Sequence, residues 1–158
     1  MVKMKIITTI GHSNKGKTTQ IKFLYDYLTK QGAFVLYYEA VGAHYEDFMA
    51  VLIWEAKMIS LCSIGDYADD DEEDSQNELW HLKYIQDGID LAKKWNSDFL
   101  INVLSLEGIT EEEYKKLLKK AEMEDYEFLK VTEQRKPECI KEKQKNLNTI
   151  IQRLRDNY

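Results

Sequence analysis

An α/β domain with helices on both faces of a mainly parallel sheet is what this sequence predicts. Short β-branched runs alternate with stretches of helical spacing along nearly the whole chain. Phe99–Leu104 is almost continuously apolar, as expected of a strand covered on both faces. A length of 158 residues, 44% of them hydrophobic and 32% charged, can bury one sizeable core. The expected architecture is a single three-layer α/β/α domain over 1–158 with about five mainly parallel strands.

The elements follow in order. Lys5–Ile10 is a β-branched run ending at Gly11 and reads as a buried strand. Lys17–Lys30 carries Ile21, Leu24, Tyr25 and Leu28 at helical spacing, and Gly32 follows as a helix stop. Ala33–Tyr38 is a second strand. Phe48–Trp54 and Met58–Ile64 are both apolar, and Glu55-Ala56-Lys57 between them could be a hairpin turn although it lacks Gly or Asn. That hairpin would add an antiparallel strand; a helix over Tyr45–Trp54 is the competing reading. Seven carboxylates crowd the run Asp66–Asp74, so it reads as a solvated loop within one domain.

Leu82, Ile85, Ile89, Ala92 and Trp95 mark a helix before the apolar strand Phe99–Leu104. Thr110-Glu111-Glu112-Glu113 is a capping box that opens a helix running to about Met123. Phe128–Thr132 is another strand. Pro137 suits the first turn of a last helix, which presents Ile140, Gln144, Leu147, Ile151 and Leu154 as one stripe. Packing on the sheet accounts for that stripe, and its 4-3-4-3 spacing would also suit a partner helix.

Charge and cysteine usage narrow the function classes. Lys and Arg number 22 against 28 Asp and Glu, a net charge of −6, which argues against sequence-independent binding of nucleic acid. No long uncharged apolar run predicts a transmembrane helix. Ile6–Ile10 is too brief for a signal-peptide core, so a cytoplasmic protein is expected. Cys62 and Cys139 form neither a metal spacing nor a disulfide framework.

Between the first strand and the first helix stands Gly11-His12-Ser13-Asn14-Lys15-Gly16-Lys17-Thr18, the G-x-x-x-x-G-K-[ST] pattern known as Walker A or P-loop. Such a loop wraps a phosphate chain with its N–H groups inward, and glycine permits the close approach. The following helix offers unpaired N–H groups and a positive dipole end. Lys17 would supply charge to the β- and γ-phosphates, and Thr18 a hydroxyl to Mg²⁺. A chance match in a chain of this length has a probability on the order of half a per cent, before the strand–loop–helix context is counted.

On these residues the chain resembles the P-loop NTPase superfamily, and more narrowly its small nucleotide-kinase-like members. Asn14-Lys15-Gly16-Lys17-Thr18-Thr19, with Lys57–Asp66 further on, is also similar to small uncharacterised P-loop proteins of bacterial and phage genomes. The resemblance implies ATP or, less favoured, GTP with Mg²⁺, bound by Gly11, Ser13, Asn14, Lys15, Gly16, Lys17, Thr18 and Thr19. It also implies a Walker B carboxylate at the end of an apolar strand beside the first one. Asp66, after Met58–Ile64, fits best and would share Mg²⁺ with Thr18.

Glu39 closes the second strand and could serve as general base or orient a water; a solvated strand-end carboxylate is the alternative. Tyr37, Tyr38, His44 and Tyr45 could line an acceptor pocket. Arg135 could stack on the base or neutralise phosphate, or form a surface pair with Lys136. Asp69–Asp74 could gather cations or attract a basic partner. His12 is assigned no chemistry, and Cys62 reads as core.

Only 3 arginines, Arg135, Arg153 and Arg155, accompany 19 lysines. Phosphoryl transfer onto a nucleoside monophosphate needs several cationic groups, which weakens that reading. N-K-x-D, H-R-D, D-F-G and H-E-x-x-H are absent. Two functions stand: a Mg²⁺-dependent NTPase or small phosphotransferase using Lys17, Glu39 and Asp66, and a non-catalytic module whose nucleotide changes its affinity for a protein partner.

Overall fold

The computed structural model describes residues 4–11, 17–41, 47–64, 82–106, 109–131 and 137–156. In chain order its elements are β1 (Lys5–Gly11), α1 (Lys17–Lys30), β2 (Phe34–Val41), β3 (Asp47–Trp54), β4 (Lys57–Cys62), α2 (Leu82–Lys94), β5 (Phe99–Ser105), α3 (Glu111–Lys120), β6 (Tyr126–Lys130) and α4 (Pro137–Asp156). The six strands form one sheet in the order β2-β3-β4-β5-β1-β6. β4, β5, β1 and β6 pair in parallel, whereas β3 is antiparallel to both β2 and β4. Five strands therefore point one way and β3 alone opposes them, which is the mixed α/β sheet expected.

The helices divide between the two faces. Ile21, Leu24 and Leu28 of α1 join Ile150 and Leu154 of α4 over Ile7, Leu52, Ile59 and Ile101. On the other face Ile85, Ile89 and Ala92 of α2 join Tyr114 and Leu118 of α3 over Ile6, Ile10, Leu100 and Leu104. Both faces of β5 are thus covered, and all seven of its residues are buried. Gly88 allows α2 to lie close on β4, since a Cβ there would sit 3.2 Å from Cys62 Sγ. Burial pushes the Cys62 thiol up to about 12, so at neutral pH it is an inert core group, as its alternation within the strand suggested.

The competing helix at Tyr45–Trp54 is not what forms: β3 and β4 make a hairpin with Trp54 opposite Lys57. Its two turn residues, Glu55 (φ 49°) and Ala56 (φ 64°), both have left-handed backbone. Paired β-branched and aromatic residues in the strands outweigh the missing Asn-Gly signal. Ala56→Gly should relieve the left-handed strain and raise stability by about 0.5–1 kcal/mol, measured by urea denaturation.

One topological expectation is corrected. β4, the strand that leads toward Asp66, does not neighbour β1; β5 lies between them. The two-residue hairpin ties β4 to β3 as a unit, and the strand that is apolar on both faces takes the central place. β6 is also two residues earlier than the expected strand, beginning at Tyr126.

Two polar anchors hold α4. Lys57, 7% exposed, donates from Nζ to the carbonyls of Leu154 and Arg155 in the last turn of α4, where a cation meets the negative end of the helix. Arg153 makes a two-point bond to Glu127, at 2.9 and 3.1 Å, with Lys5 at 3.8 Å. The Arg153 bond, aided by Lys5 and opposed by partial burial, holds the Glu127 carboxyl below the usual glutamate range. A carboxyl with its folded pKa below its unfolded value stabilises above the unfolded value, and that contribution fades as pH falls through the folded one. Glu127→Gln should therefore be less stable than the native chain at neutral pH. In urea melts taken down to about pH 3 the gap should close below the ordinary carboxylate range.

Candidate functional site

The candidate site lies where β1 gives way to α1, at the carboxyl edge of the parallel strands. β1 is inserted between β5 and β6, with Gly11 opposite Ser105. The ladder continues at its end: Leu106 N–H donates to Gly11 O at 2.9 Å and Val131 N–H to Ile10 O at 2.9 Å. Gly11 is buried and held on this edge, a fixed point from which the chain leaves the sheet. Only residues 12–16 separate it from the start of α1 at Lys17.

α1 is seated as firmly. Ile21, Leu24 and Leu28 are fully buried. Gln20, 2% exposed, donates from Nε2 to Thr9 Oγ1 at 2.8 Å, tying the first turn of α1 to β1 two residues before Gly11. Its Oε1 is buried and has no hydrogen-bond partner among the described residues. The first turn of α1 contains no acidic residue. The start of α3 is built the opposite way: Thr110 and Glu113 form the expected capping box, and three glutamates fill its first turn. α3 thus satisfies its own N-terminal donors, whereas α1 brings no carboxylate to compete with an external anion.

On the face of the sheet opposite α1, three buried side chains close a ring. Thr8 Oγ1 donates to Asn102 Oδ1 at 2.6 Å, and Asn102 Nδ2 to Tyr114 OH at 3.1 Å. Tyr114 OH then donates to Thr8 Oγ1 at 2.9 Å, because the Thr8 proton is already engaged. The ring joins β1, β5 and α3 three residues before Gly11. Burial raises the Tyr114 phenol to about 12, so it stays a neutral donor.

A cavity of ≈ 460 Å³ opens between α1 and α4, lined by Thr19, Gln20, Phe23, Lys143, Gln144 and Leu147. Phe23 is 59% exposed there, an aromatic face beside the first turns of α1.

The sequence-derived residues distribute as follows. Gly11 ends β1, Lys17 and Thr18 occupy the first turn of α1, and Thr19 is exposed on it. His12, Ser13, Asn14, Lys15, Gly16, His44, Tyr45, Asp66, Asp69–Asp74 and Arg135 lie outside the described residues. Glu39 is exposed on β2, the sheet edge, four strand spacings or roughly 19 Å from β1, so it does not border the β1–α1 junction. Of the aromatic residues expected to line an acceptor pocket, Tyr37 and Tyr38 lie on that same edge strand. Tyr38 stacks on Phe48 at 5.4 Å and Tyr37 meets Trp95 at 6.3 Å, contacts that wrap the two faces of the sheet edge.

Arg153 and Arg155 sit at the far end of α4, engaged with Glu127 and with Tyr27 and Trp54 respectively. Neither is a phosphate clamp for α1. Gln20, Phe23, Ser105 and the Thr8–Asn102–Tyr114 ring were not singled out from sequence. Periodicity gives no signal for a polar side chain whose partner lies on another element.

The fold defines an α/β protein with a mixed sheet in which residues 12–16 join a central parallel strand to the first helix at the carboxyl edge. Comparison with protein-family models, curated proteins and solved structures finds no match to this chain. No helix among the described residues is long and apolar enough to cross a membrane. Nor do the described residues contain a group of three or more His, Cys, Asp or Glu able to hold a metal ion.

Proposed function

We infer that the chain binds a nucleoside triphosphate with Mg²⁺ at the β1–α1 junction, with ATP preferred to GTP, and hydrolyses it or passes the phosphoryl group to a small acceptor. One observation carries this reading. The two ends of the G-x-x-x-x-G-K-T octet fall on the buried end of a central parallel strand and on the carboxylate-free first turn of a firmly seated helix. Helix N–H groups and Lys17 would neutralise phosphate charge, and the Thr18 hydroxyl would reach the metal. Mg²⁺ would supply further charge neutralisation on the phosphates. Phe23 and Leu147 offer apolar walls to the nucleoside, with Lys143 at the rim.

The sheet order bears on the metal carboxylate. β5 adjoins β1, and Glu107 follows β5 by two residues in sequence, whereas Asp66 follows a strand one place further out. Glu107 is therefore the first carboxylate to test and Asp66 the second. A second reading, nucleotide binding without turnover to modulate a protein partner, draws support from Ser105: the residue opposite Gly11 on the adjacent strand is a hydroxyl, not a carboxylate.

The test is calorimetric titration with a non-hydrolysable triphosphate, with and without Mg²⁺, for the native chain and Lys17→Ala, followed by phosphate-release assays. Glu107→Gln and Asp66→Asn then show which loss removes the Mg²⁺ dependence. Tight binding with no released phosphate selects the second reading, and no binding removes both.

A further inference from the structure

The two edges of the sheet are built differently. β6 is short, five residues, and carries charge: Glu127 is paired with Arg153 and Lys5, and Lys130 with Glu111. Charged side chains on a short strand are how sheets prevent edge-to-edge pairing. β2 has eight residues, Phe-Val-Leu-Tyr-Tyr-Glu-Ala-Val, with Glu39 as its only charge and neither Lys nor Pro. Its one strand partner among the described residues is β3.

Exposed apolar side chains flank that edge on both faces. Phe34 (68% exposed) stands beside its cross-strand partner Ile53 (39%), and Tyr38 (52%) lies on the opposite face. The bulge falls between Val35 and Tyr37, near the beginning of the strand, and leaves Tyr37–Val41 in regular register.

We propose that β2 is a docking edge for a second copy of this chain, pairing antiparallel with its own β2 about a two-fold axis at Tyr38. A strand meets its own copy antiparallel about a two-fold, and such an interface is self-complementary. The side chains fit this register. Tyr38 meets Tyr38, an aromatic cross-strand pair. Each Glu39 faces Tyr37 of the second copy rather than another Glu39. Within one chain, burial and then the nearby Glu39 carboxylate hold the Tyr37 phenol above the usual tyrosine range, so it is a neutral donor suited to a facing carboxylate. An axis at Glu39 would instead oppose two carboxylates. The pairing joins two six-stranded sheets into one and removes the long edge.

Sedimentation velocity over a concentration series up to about 200 µM should show a reversible dimer with micromolar dissociation. Tyr38→Lys, which sets two ammonium groups face to face on the axis, should weaken it at least tenfold. Tyr38 also packs on Phe48, so a second variant keeps the proposal falsifiable if Tyr38→Lys fails to fold. In a Cys139→Ser background, Tyr38→Cys places two sulfurs across the axis at a separation a disulfide can span. Phe34→Cys places them eight residues apart, about 26 Å. Oxidised glutathione should cross-link the first and not the second. A monomer at every concentration, or cross-linking of Phe34→Cys as readily as Tyr38→Cys, overturns the proposal.

Discussion

Lys17→Ala is expected to lower triphosphate affinity on the order of a hundredfold, about 3 kcal/mol, with little change in stability. The magnitude follows from what an ammonium does at the start of a helix. The N–H groups of α1 and its dipole supply partial charge, but a triphosphate also requires a full cation close to its terminal phosphates. Among the described residues, the arginines are not arranged to help. Arg153 is held by Glu127, and Arg155 by Tyr27 and Trp54, all at the far end of α4. Lys15 is the other cation of the motif, but Lys17 is the one the pattern sets directly before Thr18, so its removal should be poorly compensated.

Stability should survive because α1 is anchored by Ile21, Leu24, Leu28 and the Gln20–Thr9 bond, none of which involves Lys17. Titration calorimetry gives the affinity and a parallel thermal melt the stability. Unchanged affinity with an intact fold would end the nucleotide reading.

The largest expected loss of stability comes from Asn102→Ala, about 3–5 kcal/mol by urea denaturation. Asn102 is 2% exposed and serves two partners, accepting from Thr8 and donating to Tyr114. Truncation removes both bonds, strips Thr8 of its acceptor in a dry interior, and leaves a void between β5 and α3. Tyr114→Phe is the gentler change, about 1–2 kcal/mol, because Thr8 and Asn102 keep their bond to each other. The two substitutions share a partner, so their effects should not add. A double variant losing as much as the sum of the singles would show that the ring does not act as a unit.

Much of the layout was legible beforehand, and the reasons are local. α1 begins at Lys17 and ends at Lys30 as read, because apolar spacing and the Gly32 stop are written within the segment itself; Gly32 adopts a φ of 95°. The Thr110–Glu113 box was visible for the same reason: both partners lie within one turn. The strand pattern placed β5 in the interior because all of its residues but Asn102 and Ser105 are apolar.

Strand order was not legible. The expectation that β4 adjoins β1 failed because lateral position depends on hairpin closure and on which strand needs cover on both faces. Glu39 showed the same weakness: a carboxylate at a strand end says nothing of which strand lies next to it, and β2 proved to be the far edge.

The amino-acid sequence alone determined the kinds and limits of most elements, the helix caps and the octet that suggests phosphate chemistry. Periodicity, capping and turn chemistry act over a few residues. Tertiary structure alone decided the order of the strands, the Thr8–Asn102–Tyr114 ring, the tie between Gln20 and Thr9, and the contrast between a charged edge and an apolar one. Each of those depends on residues from different elements, 106 positions apart for Thr8 and Tyr114, and is selected by burial and hydrogen-bond satisfaction across the whole core.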